Sequence, residues 1–202
     1  MKPEDESILR RVAAWSGVEL DRYQMDRLDR YLVWLETEAI TGGLMGPNEK
    51  SRLVRRHLAD SLLFACGLTT SRGRVLDVGS GAGLPGIPLA VAFPKLQFVL
   101  LERRGKRAEL LRRVSRILDL ENVQVVQGDL DKWSGQMSVI VSRATVPPTE
   151  VADRLLPHLE PDGVVVLGGS WTARPDVDGF EVVEVPTEVL DQTVWLLIMR
   201  PT

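Results

Sequence analysis

The order of apolar and polar positions divides the chain into a helical first third and a remainder in which strands alternate with helices. Residues 7–15 place apolar side chains at helical spacing, and a second amphipathic stretch follows Asp21, which we expect to cap it. A third apolar stripe runs through residues 53–65 and ends before Gly67, a natural helix terminator. The first third therefore predicts a set of packed helices.

From residue 73 onward, short apolar runs are separated by turns and helices. Strands are predicted at residues 74–78, 97–101, 123–126, 139–141, 163–167, 180–185 and 194–199. Helices are predicted at residues 85–93, 103–118 and 149–156, and no long helix separates the last two strands. This alternation predicts an α/β fold with a doubly wound, Rossmann-like, mostly parallel sheet that ends in an antiparallel hairpin. We expect a helical cap at residues 1–67 and an α/β domain at residues 68–202, with the boundary near 67–72.

Composition narrows the class of protein. The 202 residues are 44% hydrophobic and 26% charged, which is ordinary for a globular chain and excludes a disordered tail or a disulfide mini-protein. The single cysteine and two histidines make a metal site unexpected. A net charge of −3 means that any nucleic-acid contact must use a local basic patch. Because no apolar run approaches the roughly 18 residues of a membrane span, and the acidic start lacks a signal peptide, we expect a cytoplasmic monomer without membrane contact.

The most informative segment is the glycine-rich turn that follows the first predicted strand, Val-Leu-Asp-Val-Gly-Ser-Gly-Ala-Gly at residues 75–83. Glycine allows positive φ and lets a ligand approach the backbone where a strand turns into a helix. In open parallel sheets, ligands bind beyond the carboxyl ends of the strands, where the strand order reverses. Glu102, just past the second strand, is placed to accept hydrogen bonds from ribose hydroxyls. Asp129, past the third strand, would suit an adenine amino group.

The sequence of this turn is compatible with two cofactors, NAD and S-adenosylmethionine. Residues 81–86 satisfy the dinucleotide fingerprint G-x-G-x-x-G, but that fingerprint should begin directly at the strand end, where Gly79 already stands. Pro85 removes a backbone N–H that a pyrophosphate would use, and the Asp77 carboxylate would repel phosphate. S-adenosylmethionine carries an ammonium, a sulfonium and a ribose but no phosphate, so the turn favours it over NAD. An NAD-dependent oxidoreductase and a tight turn without a ligand are the alternatives.

The segment from Asp77 to Leu89, Asp-Val-Gly-Ser-Gly-Ala-Gly-Leu-Pro-Gly-Ile-Pro-Leu, closely resembles the core motif of the glucose-inhibited division protein B family. Further segments that resemble the family are Arg56-His57-Leu58-Ala59-Asp60-Ser61, Gly105-Lys106-Arg107, Leu120-Glu121-Asn122-Val123 and Ser142-Arg143-Ala144. The resemblance, which covers residues 55–144, implies a class I S-adenosylmethionine-dependent methyltransferase. It also implies that the enzyme acts at N7 of a guanine in 16S ribosomal RNA, with that RNA or the small ribosomal subunit as its partner.

The chain departs from the family pattern at several positions. Glu38-Ala39-Ile40-Thr41 stands where the family usually has Asn-Leu-Thr, and Gly128-Asp129 stands where it often has an Arg and a Glu. Two further departures, Leu167-Gly168-Gly169 in place of Leu-Lys-Gly and Gln192-Thr193 in place of Arg-His, remove basic groups that could hold RNA. A methyltransferase of another RNA or of a small molecule is therefore an alternative.

Methylation of guanine N7 needs no general base, because the nitrogen lone pair attacks without losing a proton; the enzyme must align the reactants and exclude water. We expect the donor site to comprise Asp77, Gly79, Ser80, Gly81, Gly83, Leu84, Gly86, Glu102, Arg103, Asp129, Leu130 and Arg143. In this hypothesis Asp77 faces the methionine end, Glu102 the ribose, and Asp129 or Leu130 the adenine. Arg143 is the candidate catalytic residue, which binds guanine O6 or a phosphate unless it forms an ion pair.

Basic residues crowd the helix after the second strand and the end of the cap. They are Arg52, Arg55 and Arg56 in the cap and Arg103, Arg104, Lys106, Arg107, Arg112, Arg113 and Arg116 in the helix. Cations in the first turn of a helix oppose its macrodipole, which indicates an external anion. Together these residues would form a patch for RNA, whereas a solvated helix face is the alternative.

Overall fold

A seven-stranded sheet organises the chain in the computed structural model, which describes residues 1–68, 73–169, 171 and 173–201. Its strands are β1 (Arg74–Val78), β2 (Gln97–Glu102), β3 (Val123–Gln127), β4 (Met137–Arg143), β5 (Leu159–Gly168), β6 (Glu181–Val185) and β7 (Val194–Met199). They lie in the order β3-β2-β1-β4-β5-β7-β6. Strands β1 to β5 pair in parallel, whereas β7 pairs antiparallel with both β5 and β6. The predicted sheet with its antiparallel hairpin is confirmed.

The α-helices of the described residues are α1 (Pro3–Trp15), α2 (Arg22–Trp34), α3 (Asp60–Leu63), α4 (Gly86–Ala92), α5 (Gly105–Ile117), α6 (Val151–Arg154) and α7 (Thr187–Leu190). Helix α2 begins as predicted, since Asp21 and Gln24 each accept the other's backbone N–H at 2.8 Å and form a capping box. It continues as a π-helical segment, Leu35–Ala39. None of the helices in the described ranges is long and apolar enough to span a membrane.

Two predicted helices differ from those observed. The stripe over residues 53–65 is a π-helical segment (Leu53–Ala59), then α3, then a 3-10 turn (Phe64–Gly67). The single helix predicted over residues 149–156 is wrong, because four-residue α6 lies between two 3-10 turns. Pro157 explains why α6 ends before residue 156, since proline lacks an N–H and disfavours the α conformation in the residue before it.

The N-terminal helices and one face of the sheet share a continuous core. Buried side chains from α1 and α2 belong to the same apolar cluster as Val75, Phe98 and Val166 of the sheet. A β carbon at Gly67 would lie 2.3 Å from Cγ2 of Val166, so the end of the cap rests directly on β5. The division into residues 1–67 and 68–202 stays a prediction, and residues 69–72 of its boundary lie outside those that the structure describes.

The alternate positions of the strands face a smaller apolar cluster on the other side of the sheet. There, Leu76, Ile140 and Val165 pack with Val151 and Leu155, which lie in and just after α6. The period of two along each strand thus places successive side chains in different layers. The carboxyl ends of the parallel strands remain uncovered by this packing and form the edge where the candidate site lies.

We predict that Asn122→Ala lowers the free energy of unfolding by about 1–3 kcal/mol. The buried Asn122 amide donates to the carbonyl oxygens of Ala90 (3.0 Å), Phe93 (3.3 Å) and Leu96 (3.1 Å), which join the end of α4 to the sheet. Urea unfolding measures the effect, with exposed Glu121→Ala as the neighbouring control that should change stability by less than about 0.5 kcal/mol. Equal losses in both variants would contradict this account.

Candidate functional site

The glycine turn lies between β1 and α4, where the strand order reverses between β1 and β4. Gly79, Gly81 and Gly83 have φ values of +73°, +58° and +98°, which explains why glycine stands at each position. The backbone N–H groups of Gly79 and Ser80 both donate to the carbonyl oxygen of Leu101, at 2.9 and 3.2 Å. The turn is therefore held against the end of β2.

The Glu102 carboxylate links the turn after β1 to the turn after β2. Its side chain is only 4% exposed, and its Oε2 accepts the Gly81 N–H at 3.1 Å. Its Oε1 accepts the Arg104 N–H at 2.8 Å, in the turn that leads into α5. Each carboxylate oxygen has a further lone pair, so both can still accept a hydrogen bond from a ligand.

Two cavities meet at Gly79. The first, of about 300 Å³, brings together the predicted residues Gly79, Glu102, Arg103, Asp129 and Leu130. The second, of about 230 Å³, brings together Gly79, Ser80, Gly81, Leu84 and Arg143. Nine of the predicted site residues thus line one continuous stretch of the sheet's carboxyl edge.

Gly83 and Gly86 are placed differently from the other glycines and are absent from the lining of both cavities. A β carbon at Gly83 would lie 2.5 Å from Cγ1 of Ile87, and one at Gly86 would lie 2.3 Å from Cδ2 of Leu100. These glycines therefore let the turn and the start of α4 pack closely against their neighbours. Their part in donor binding stays a prediction.

Asp77 lies beneath the turn, and neither cavity has it in its lining. The side chain is 1% exposed; Oδ2 accepts the Gly86 N–H at 3.1 Å, whereas Oδ1 has no partner among the described residues. Burial raises the pKa of Asp77 to about 7, although the neighbouring Ser80 hydroxyl, the Gly86 N–H and the charge of Arg143 act in the opposite direction. Its role toward a methionine group stays a prediction, while its contact with the first turn of α4 was not foreseen.

Arg143, at the end of β4, is held by the cap. One guanidinium nitrogen donates to the Arg56 carbonyl oxygen and another to Nδ1 of His57, both at 3.4 Å. No carboxylate of the described residues forms an ion pair with it, in contrast to the alternative considered above. Its charge is nevertheless close enough to lower the pKa of Asp60 and of Asp77 against the larger effect of burial.

Sequence reasoning missed how His57 and Glu49 act on Arg143. His57 Nε2 lies 2.8 Å from Glu49 Oε2, so the ring donates its Nε2 proton to Glu49 and presents the Nδ1 lone pair to Arg143. Burial lowers the pKa of His57, although the hydrogen bond that its ring donates to Glu49 acts to raise it. The His57 ring must be neutral to accept a hydrogen bond from Arg143, because a protonated ring has no free nitrogen lone pair. The Arg-His-x-x-Asp segment was a signal for His57, but nothing in the sequence pointed to Glu49.

The basic residues fall into two groups. Six cations of the α5 region lack an ion pair within the described ranges: Arg103, Arg104, Lys106, Arg107, Arg112 and Arg116. In contrast, Arg113 pairs with Glu38, Arg52 with Glu49 and Arg55 with Asp191. Arg56 of the cap also lacks an ion pair within these ranges, so most, but not all, of the unpaired positive charge of this set lies at α5.

We predict that Asp77→Asn stabilises the protein above about pH 7. Between about pH 4 and pH 7 the folded state holds a proton on Asp77 that the unfolded chain has lost, so the free energy of unfolding of the wild type falls as the pH rises. An asparagine can still accept the Gly86 N–H and does not titrate. Thermal unfolding at about pH 8 should show a gain of at least about 1 kcal/mol, or roughly 2–4 °C in Tm, that shrinks toward pH 4.

The control for this measurement is Asp153→Asn, which removes an exposed carboxylate on α6 and should leave the pH dependence of Tm unchanged. A gain for Asp77→Asn that is the same at every pH would contradict the assignment of a raised pKa to this carboxyl.

Comparison with known proteins places the chain in a family. The profile of the family described as GidB, rRNA small subunit methyltransferase G, matches residues 24–175. The ribosomal RNA small subunit methyltransferase G of Acidothermus cellulolyticus is 39% identical over 137 residues, covering 68% of this chain and 61% of that protein. The Mycobacterium leprae protein of the same name is 42% identical over 142 residues, covering 68% and 57%. The chain thus spans less than two thirds of the length of these two relatives.

A third relative matches nearly end to end, and solved structures share the fold. The protein of the same name from Roseiflexus castenholzii is 30% identical over 217 residues, covering 98% of this chain and 92% of that protein. A ribosomal protein L11 methylase from Lactobacillus delbrueckii has a TM-score of 0.57 at 15% identity, covering 73% of this chain and 80% of its own. A mutant of MtNAS in complex with S-adenosylmethionine has a TM-score of 0.55 at 19% identity, covering 98% and 78%. These likenesses confirm the predicted Rossmann-like methyltransferase fold, and the profile match and the Roseiflexus alignment show that the chain belongs to the GidB family, rRNA small subunit methyltransferase G.

Proposed function

We propose that the protein transfers a methyl group from S-adenosylmethionine to N7 of a guanine in small-subunit ribosomal RNA. The observation that carries this proposal is the meeting of two cavities at Gly79. One cavity holds carboxylates suited to a nucleoside, and the other leads to the Arg143 guanidinium. Family membership supports the same activity and the same RNA as acceptor.

The residues of the first cavity fit the adenosine part of the donor. Glu102 keeps free lone pairs for ribose hydroxyls, and Asp129 lies beyond β3 with Leu130 beside it. The space beside Gly81 is open, since a β carbon added there would lie 3.8 Å from its nearest neighbour, the Gly79 carbonyl oxygen. The buried carboxyl of Asp77 lies beneath the turn with one oxygen unpartnered among the described residues, and its negative charge, when it is ionised, favours a cationic ligand over a phosphate.

S-adenosylmethionine supplies an electrophilic methyl group on a positively charged sulfur. The protein's own task is then to align the acceptor and keep water out, because guanine N7 attacks through a lone pair and releases no proton. Arg143 is suited to hold guanine O6, the acceptor next to N7 on that edge of the base. His57 holds Arg143 in place, and its neutral ring uses the Nδ1 lone pair for this contact rather than for proton transfer.

The charge distribution supports an RNA acceptor. The six cations of the α5 region that lack ion pairs give a local basic surface on a chain whose net charge is −3. Phosphate contacts of this kind supply affinity and orientation without reading sequence. A small-molecule acceptor would have no use for such a surface.

The test is incubation of the protein with labelled S-adenosylmethionine and small ribosomal subunits, with total small metabolites in a parallel reaction. We expect label in the RNA, and N7-methylguanosine after digestion and mass spectrometry. Label only in small metabolites would overturn the RNA acceptor, and label in another nucleoside would overturn the N7 assignment. Calorimetry with NAD, which we expect not to bind, separates this activity from an oxidoreductase.

We predict that His57→Leu lowers the single-turnover rate of methyl transfer by roughly 10- to 100-fold, because Arg143 loses the acceptor that orients it. His57→Asn should recover at least about tenfold of this loss, since the asparagine Oδ1 stands close to where Nδ1 was. Affinity for the methyl donor, measured separately by calorimetry, should change by less than about twofold. Equal losses in both variants would show that His57 acts only through packing.

A further inference from the structure

A third cavity, of about 210 Å³, lies next to Arg143 at the same edge of the sheet. Its lining includes Arg56, Asp60, Gly169, Trp171, Gln192 and Trp195. Gly169 follows β5, and Gln192 lies just before β7, so the cavity is the next position along the edge after the end of β4. Arg143 of the second cavity donates to the carbonyl oxygen of Arg56, and Arg56 lines the third cavity, so this hydrogen bond connects the walls of the two cavities.

Asp60 is the unusual group in this cavity. Its carboxyl is partly buried, and within the described residues no hydrogen bond or ion pair involves it. Burial raises its pKa to about 6, while the charges of Arg143 and Arg56 act to lower it. At neutral pH it is therefore mainly a carboxylate whose acceptor positions are open to a ligand in the cavity.

The other walls suit a flat heterocycle. Trp171 and Trp195 both line the cavity, and the indole of Trp171 lies against Gly169, since a β carbon there would come within 3.1 Å of its Cζ2. Indole faces stack on unpaired bases and tolerate any base equally. Arg56 is exposed at the rim, where its charge can meet a phosphate. Discrimination between bases must then come from Arg143 and Asp60.

The order of polar groups around guanine matches the order of these side chains. N7 must face the donor cavities, O6 comes next, and the N1–H and 2-amino donors follow on the Watson–Crick edge. Along the edge of the sheet, the cavities for the methyl donor are followed by the Arg143 guanidinium and then by the Asp60 carboxylate. The guanidinium, a hydrogen-bond donor, would face O6, and the carboxylate, an acceptor, would face the N1–H and 2-amino groups. Adenine would present an amino group to Arg143 and a lone pair to Asp60, so both contacts would become repulsive.

We infer that Asp60 accepts hydrogen bonds from N1–H and the 2-amino group of the acceptor guanine, and that this contact selects guanine over adenine in the cavity beside Arg143. The inference rests on the proposed function, since it names how the acceptor of that reaction is recognised. It also requires that the guanine be unpaired or flipped out when methylated, because pairing with cytosine occupies the same edge.

The test compares Asp60→Asn with the wild type on two RNAs, once the methylated nucleotide has been mapped. One RNA carries guanosine at that position and the other carries inosine, which lacks the 2-amino group. Asp60→Asn should lower kcat/KM on guanosine by roughly 5- to 150-fold, and the ratio of wild type to variant should be smaller on inosine. Asp26→Asn, an exposed change in the cap, is the control and should leave both rates unchanged.

Asp60→Glu keeps a carboxylate, so its kcat/KM on guanosine should lie between those of the wild type and Asp60→Asn. This intermediate value separates loss of the hydrogen-bond acceptor from loss of the fold. Donor affinity should stay within about twofold for all variants. An unchanged rate for Asp60→Asn, or the same ratio on guanosine and inosine, would overturn the role of Asp60 alone. Absence of transfer by the wild type itself would instead overturn the proposed function and, with it, this assignment.

Discussion

The carboxylate of Glu102 accepts one backbone N–H from the turn after β1 and one from the turn after β2, and this shared acceptor sets the shape of the site. The two donors, Gly81 and Arg104, belong to loops that would otherwise be free to move apart. Because the carboxylate is 4% exposed, solvent competes little for these charge-assisted bonds. Because both turns are held in place, the two cavities on either side of Gly79 keep a fixed position relative to each other.

The cap completes this arrangement from the opposite side. The hydroxyl of Tyr31 donates to the Ala82 carbonyl oxygen at 2.8 Å, so α2 holds the glycine turn that Glu102 holds from the sheet. Farther along, the cap supplies His57 and Asp60 to the surroundings of Arg143. The acceptor side of the site therefore exists only where cap and sheet meet, and cap residues such as Met45 and Glu49 also line the second cavity.

Two carboxyls, those of buried Asp77 and partly buried Asp60, have raised pKa values and incomplete hydrogen bonding within the described residues. A protein selected for stability alone would pair such groups or replace them, since an unpartnered buried carboxyl lowers the free energy of unfolding. Both lie close to Arg143, whose positive charge reduces this penalty without removing it. Groups of this kind cluster where ligands bind, and here they flank the boundary between the donor and acceptor cavities.

Sequence alone determined the strands, the capping of α2 by Asp21, the need for positive φ in the glycine turn and the family, because these depend on local conformational preferences and a contiguous motif. Only the tertiary structure decided which glycines border cavities and which, such as Gly83, pack against a neighbour. The same holds for the contact of His57 with Arg143, 86 positions apart, and for the presence of Asp60 and Trp171 in the lining of one cavity. Periodicity reports which face of an element is buried, but contacts between distant elements depend on strand order and helix placement, which no local pattern specifies.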